Sequence, residues 1–141
     1  MRLLRNARFL DRDGVHDIEL DDTRIARIVP AGEGEGETFV DAGGGLVTAP
    51  FVEPHVHLDT TLTAGEPRWN ASGSLWEGIA VWSERKRTLT RDDVIARATE
   101  VLRWYAANGV LHVRSHVDVT DPSLTALDAM LEVRERVADV I

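Results

Sequence analysis

Cysteine is absent from the sequence, which excludes disulfide bonds and thiolate metal sites. A transition-metal site in this chain would therefore use histidine and carboxylate ligands. Basic residues are also in deficit, with 16 Lys and Arg against 24 Asp and Glu and a net charge of -8. This balance argues against nucleic acid or an anionic membrane as a partner, because both reward clustered basic side chains. We expect a small neutral or cationic molecule instead.

Long apolar runs are missing as well. No stretch approaches the ~20 residues of a membrane-spanning helix, and the start MRLLRNARFL lacks the apolar region of a signal peptide. A cytoplasmic location is the default expectation. With 141 residues, 43% of them apolar, the chain has the size of an ordinary globular domain and can bury a core.

The first part of the chain predicts a small β-domain. Short strands separated by turn-rich pieces are predicted over 2–10, 15–20, 24–29 and 38–41, a pattern typical of a β-meander. Gly and Glu alternate from Gly32 to Glu37, which favours a solvated loop. A flexible glycine run follows at 43–45. We therefore predict a β-domain over residues 1–46 and a second domain over 47–141.

The most informative stretch is APFVEPHVHLDT, from Ala49 to Thr60. Side chains alternate across a strand, so His55 and His57 point the same way. Two imidazoles about 7 Å apart along a strand can converge on one divalent ion, provided that other elements supply the remaining ligands. The alternative is a pair of structural histidines on a polar strand face.

Loop and helix signals follow this strand. Residues 58–73 have the composition of a long loop, and such loops are often functional. Ser74 and Glu77 form a capping box that predicts a helix running to about residue 86. A second helix is predicted to begin at Thr90 and to end at Asn108-Gly109.

The last segments predict a strand, a helix and the start of another strand. Over 110–119, one face is largely apolar and the other carries His112, Arg114, His116 and Asp118. That polar face either lines an interior of paired polar groups or belongs to a solvated edge strand. Asp121-Pro122 is the signature of a helix start, and Val140-Ile141 indicates a further strand.

Several blocks carry a family resemblance in the same order. They are residues 50–65, 69–79, 84–86, 112–119 and 124–133. In this order they resemble the bacterial cytosine deaminases of the amidohydrolase superfamily, strongly from Gly44 onward. The resemblance implies an α/β fold in which the β-domain, part of a β-sandwich, precedes the first two βα units of a (β/α)₈ TIM barrel. Because such a barrel needs ~250 residues, we expect the chain to be truncated after the second unit.

The resemblance also implies a reaction and a metal. The reaction is attack of activated water on C4 of cytosine, which gives uracil and ammonia. His55 and His57 are the implied ligands of one divalent ion, Fe²⁺ or Zn²⁺. A further histidine, a metal-binding Asp and a proton-shuttling Glu are expected beyond Ile141, so no catalytic residue is assigned within the chain and the chain alone is expected to be inactive.

Other site residues are assigned on the same basis. Thr60, Trp69 and Leu75 are the implied substrate contacts, although Trp69 would equally well pack the loop onto its own core. His116 and Asp118 are interpreted as residues that support the site without binding the metal, with a satisfied structural histidine as the alternative for His116. The substrate is cytosine or a related aminated ring such as a triazine, and a homo-oligomer is expected. The competing hypothesis is a non-catalytic subunit that associates with a partner.

Overall fold

The computed structural model describes residues Met1–Ile141. It has mixed α/β structure, and its internal contacts divide the chain into two units, Met1–Ala49 and Pro50–Ile141. No helix has both the length and the apolar character needed to cross a membrane.

The first unit contains one four-stranded sheet. Its strands are β1 (Arg2–Ala7), β2 (His16–Asp21), β3 (Arg24–Pro30) and β4 (Glu37–Asp41). The order is β3-β2-β1-β4, with antiparallel pairing of β1 with β2 and of β2 with β3. The predicted meander is therefore confirmed for the first three strands, while β4 pairs in parallel with β1. The second sheet of a sandwich remains a prediction.

The loop after β3 is held by two buried carboxylates of β2. Asp17 and Glu19 are both fully buried. Asp17 accepts hydrogen bonds from the backbone N–H groups of Gly32 and Gly34, at 2.9 and 3.4 Å, and Glu19 accepts one from Glu35 at 3.1 Å. A Cβ at Gly34 would lie 2.7 Å from the Cβ of Asp17, so glycine is required there. The predicted solvated loop is mostly exposed, but its backbone is anchored.

The second unit has two parallel strands and helices that connect and follow them. Its elements are β5 (Phe51–Val56), α1 (Leu75–Arg85), a 3₁₀ turn (Lys86–Thr88), α2 (Arg91–Ala107), β6 (Val110–Ser115) and α3 (Thr125–Val137). Parallel strands need a long crossover, here through α1 and α2. The core consists of apolar side chains from α2, α3 and the end of β5: Leu58, Val94, Ile95, Ala98, Val101, Leu102, Ala129, Met130 and Val133.

Most helix ends match the sequence signals. The Thr90 hydroxyl accepts a hydrogen bond from the backbone N–H of Asp93, and Asn108 caps the other end of α2 before Gly109, which has a φ of 78°. Ser74 caps α1 through the N–H of Glu77. The predicted capping box is incomplete, however, because the Glu77 carboxylate accepts from the N–H of Ser72 rather than from that of Ser74.

Three predicted boundaries are wrong. The third helix begins at Thr125 and not at Asp121-Pro122, because Leu124 adopts a left-handed φ of 54° and the Asp121 carboxylate instead caps the turn before it. The strand predicted over 110–119 ends at Ser115. Val140 and Ile141 form no strand, since the N–H groups of both return to the carbonyl of Val137.

Candidate functional site

Three histidines lie together at the ends of the parallel strands. His55 is in β5, His57 follows the end of β5, and His116 follows the end of β6. The N–H of His116 donates to the carbonyl of Val56 at 2.7 Å, which aligns the two strand ends. The ring centroids of His55 and His57 are 5.7 Å apart, and that of His116 lies 4.1 Å from His55 and 5.6 Å from His57.

The side chains of this cluster have the donor chemistry that a metal ion requires. No group of three or more His, Cys, Asp or Glu side chains is arranged to hold a metal. His55 and His57 are nevertheless neighbouring imidazoles, which suit Zn²⁺ and Fe²⁺. Buried polar atoms without a hydrogen-bond partner, His116 Nδ1 and Asp59 Oδ1, lie beside them. The residues present therefore fit one side of a metal site.

Asp59 is the site residue that the sequence did not single out. Its side chain is fully buried, and its Oδ2 accepts a hydrogen bond from the backbone N–H of Asp118 at 2.9 Å. Its Oδ1 has no partner and lies 3.7 Å from Nδ1 of His57. Asp59 lies in the turn after β5, so strand alternation does not determine where its side chain points.

Asp118 joins α1 to the end of β6. Its carboxylate accepts hydrogen bonds from Trp82 Nε1 at 2.7 Å, from Lys86 Nζ at 2.8 Å and from the backbone N–H of Thr120 at 2.8 Å. Burial would raise the pKa of Asp118, but these donors hold it well below its ordinary value. The carboxylate is thus a fully paired anion, and Asp118 reaches the histidine side only through its backbone N–H.

The surroundings of His116 disfavour its charged form. Burial lowers the pKa of His116, and the nearby His55, Arg114 and His57 lower it further. Nδ1 of His116 is buried and has no hydrogen-bond partner, and both interpretations of this residue stay predictions.

A cleft of about 390 Å³ lies beside the loop that follows β5. Two of the predicted substrate contacts line it, Thr60 and Trp69, whereas Leu75 does not and is 74% exposed in the first turn of α1. The Trp69 indole lies against Gly65, where an added Cβ would meet it at 3.1 Å. Trp69 therefore packs on its own loop and also forms part of the cleft wall.

Two arginines, Arg97 and Arg85, fix this loop, and neither was assigned a role from the sequence. Arg97, on α2, donates from Nη1 to the backbone carbonyls of Asp59 and Thr61 at 3.0 and 2.6 Å. Its guanidinium also pairs with Asp93, to which Arg85 donates at 2.8 Å. The hydrogen bond from Arg97, opposed by burial, lowers the pKa of Asp93 below its ordinary value.

Comparison with known proteins gives one family. The amidohydrolase family model matches residues 38–139. The crystal structure of 5-methylcytosine deaminase from Klebsiella pneumoniae liganded with 5-fluorocytosine is 46% identical, with a TM-score of 0.88 over 99% of this chain and 34% of that chain.

Two curated relatives have different names. The N-isopropylammelide isopropyl amidohydrolase of Pseudomonas sp. (strain ADP) is 30% identical over 99% of this chain and 36% of its own length. The pterin deaminase of Rhizobium rhizogenes is 34% identical over 89% of this chain and 29% of its own length. The chain therefore spans about a third of the length of the proteins it matches.

Proposed function

Because the chain belongs to the amidohydrolase family, we propose that the protein is a metal-dependent hydrolytic deaminase that converts cytosine and water to uracil and ammonia. The resemblance found in the sequence is confirmed at the level of a deaminase of this superfamily. The observation that carries the proposal is the proximity of His55 and His57, whose ring centroids are 5.7 Å apart. The chain that holds them is 46% identical to a 5-methylcytosine deaminase.

The fold supports the same proposal. A parallel pair connected through helices and followed by a further helix is the repeating pattern of a (β/α)₈ barrel, and β5 to α3 have this pattern. We propose that residues 47–141 form the first two units of such a barrel, after a β-domain over 1–46. Active sites of these barrels lie at the carboxyl ends of the strands, where His57 and His116 follow β5 and β6.

The proposed roles divide between the histidines and the cleft. His55 and His57 would hold one Zn²⁺ or Fe²⁺ through ring nitrogens, and two imidazoles do not choose between these metals. A divalent ion held there supplies the Lewis acidity that makes a water molecule nucleophilic near neutral pH. Thr60 offers a hydroxyl, and Trp69 an indole face, on the wall of the neighbouring cleft. We propose these two as contacts for a planar heterocycle. We propose Leu75 as a third contact, although it does not line the cleft.

A different aminated ring is the second candidate substrate. The relatives at 30% and 34% identity carry names that refer to N-isopropylammelide and to pterin, so the family level alone does not select cytosine. The identity of 46% to the 5-methylcytosine deaminase favours the pyrimidine. We also propose that the protein is a homo-oligomer that acts on a small molecule. The alternative function is that of a non-catalytic subunit that associates with a partner.

The proposal is tested by ammonia release from cytosine, from an N-alkylated triazine and from a pterin. The assay uses the protein at its full coding length, loaded with Zn²⁺ or Fe²⁺, with His57→Ala as the inactive variant. His16→Ala, in the first unit, serves as the matched control. We expect cytosine to be the best substrate and His57→Ala to abolish its turnover. Faster ammonia release from another ring would show that cytosine is not the preferred substrate. Absence of all metal-dependent deamination would overturn the proposal.

A further inference from the structure

We infer that Asp59 is a positioning residue for His57: its free oxygen accepts a hydrogen bond from Nδ1–H of His57 and so leaves Nε2 as the nitrogen that binds metal. The inference rests on the proposed function only in taking His57 as a ligand. The two atoms concerned, Asp59 Oδ1 and His57 Nδ1, both belong to this chain and lie 3.7 Å apart.

The two oxygens of Asp59 are in different situations. Oδ2 is occupied by the backbone N–H of Asp118 at 2.9 Å, which fixes the orientation of the carboxylate. Oδ1 is buried without a partner, and a buried carboxylate oxygen left unpaired is costly. A potential donor, Nδ1 of His57, lies 3.7 Å from this oxygen. Asp59 is therefore held in place with one acceptor directed toward the imidazole.

The remaining gap is small, and the more exposed of the two side chains is that of His57. A distance of 3.7 Å lies just beyond a hydrogen bond. The side chain of His57 is 45% exposed whereas that of Asp59 is 0% exposed. The χ2 torsion of histidine has a broad energy well, so rotation of the imidazole closes the contact without moving Asp59.

The consequence is a choice of tautomer. A neutral imidazole carries one proton, and the hydrogen bond made by one nitrogen decides which nitrogen remains a lone-pair donor. Donation from Nδ1 to Asp59 leaves Nε2 unprotonated before any metal arrives. Histidine ligands of metals generally have such a partner, and its loss costs about 10- to 100-fold in metal affinity.

Asp59→Asn gives a sharp test because it should reverse the tautomer. The Asn oxygen can keep the hydrogen bond from Asp118, which turns the amide NH₂ toward His57 Nδ1. That nitrogen must then accept, so the proton moves to Nε2 and the metal-binding lone pair is lost. Asp92→Asn is the matched control, since it removes the same charge from an exposed position in the first turn of α2.

The measurement is long-range ¹H–¹⁵N correlation NMR of the imidazoles in the metal-free 141-residue chain, at alkaline pH where imidazoles are neutral. We expect the Nδ1–H tautomer of His57 in the wild type and in Asp92→Asn, and the Nε2–H tautomer in Asp59→Asn. A wild type with the Nε2–H tautomer, or a folded Asp59→Asn with no change, would overturn the inference. If Asp59→Asn does not fold, the wild-type tautomer decides alone.

Zn²⁺ titration of the protein at its full coding length, against a competing chelator, separates this inference from the proposed function. We expect Asp59→Asn to weaken Zn²⁺ binding about 10- to 100-fold relative to Asp92→Asn. Equal affinity of the two variants would contradict a positioning role. A wild type that shows the Nδ1–H tautomer but binds no Zn²⁺ would support the hydrogen bond and count against the metal site of the proposed function.

Discussion

Two fully buried aspartates, Asp17 in the first unit and Asp59 in the second, are paired in different ways. Asp17 accepts hydrogen bonds from the backbone N–H groups of Asn6, Gly32 and Gly34. Asp59 accepts one, from Asp118, and its second oxygen has no partner. A carboxylate whose oxygens are both occupied by backbone donors can only hold structure, whereas one with a free oxygen can still act on a neighbour.

A free carboxylate oxygen does not by itself give a buried acid a chemical role, as Glu19 shows. Glu19, beside Asp17 on β2, has one oxygen without a hydrogen bond and lies 3.6 Å from Arg27. That arginine is 58% exposed, whereas the Glu19 side chain is fully buried. No histidine cluster lies beside it, and we assign it no chemical role.

The largest effect should come from the histidines of the second unit. We expect His55→Ala or His57→Ala to lower metal affinity more than about 100-fold, because removing a direct ligand should cost more than removing its supporting partner. Metal content after dialysis measures this, and His112→Ala, at an exposed histidine of β6, is the control. Stoichiometric metal in either variant would show that the ligands lie elsewhere.

Loss of the Asp17 carboxylate should be the largest effect on stability. Asp17→Ala leaves three backbone donors unpaired, and we expect a loss of about 3 kcal/mol in the free energy of unfolding. Urea denaturation measures it, with the exposed Asp13→Ala as the control. An Asp17→Ala variant as stable as Asp13→Ala would contradict the structural role assigned to the first aspartate.

Arg97→Ala should have a smaller effect on stability and a local effect on the loop. It removes donors to the carbonyls of Asp59 and Thr61, for an expected loss of about 2 kcal/mol. Arg103→Ala, which breaks an exposed ion pair of the same helix, should cost much less. Hydrogen exchange of the amides at 59–65 should rise in the first variant only, and unchanged exchange would rule out the anchoring role.

The smallest effect should be an acid-dependent one at α1. Hydrogen bonds from Ser72, opposed by burial and supported by Arg68, lower the pKa of Glu77 from 4.5 to about 2. Because the folded pKa is the lower one, Glu77 stabilises the fold above pH 4.5, and this contribution is lost as the pH falls toward about 2. Melting temperature against pH in Glu77→Gln should be flatter over this interval. Parallel curves for wild type and variant would contradict the shift.

Local chemistry accounts for the features that the sequence predicted correctly. Thr90, Asn108 and Gly109 act on backbone groups within a few residues, so their roles could be read directly. The neighbouring orientation of His55 and His57 also follows from strand alternation alone. The wrong start of α3 has an equally local cause, since the left-handed conformation of Leu124 has no residue signature.

The parts of the site that were missed depend on contacts between distant segments. Asp59 meets the backbone of Asp118 across 59 positions, and Arg97 reaches Asp59 across 38. No periodicity or motif encodes such a pairing. In the sequence, Arg97 is simply a charged residue within an amphipathic helix, and only the packing of α2 beside the end of β5 shows what it binds.

The position of Asp118 restricts which substitutions this protein can accept during evolution. Its carboxylate binds Trp82 and Lys86, while its backbone N–H binds Asp59. A substitution at Lys86 should therefore change the effect of a substitution at Asp59 on stability, because both residues bind Asp118. We expect the two changes to be non-additive in a double-mutant cycle, as is usual within one network. Positions 59, 86 and 118 should then be inherited as a group, each one restricting which replacements the other two can accept.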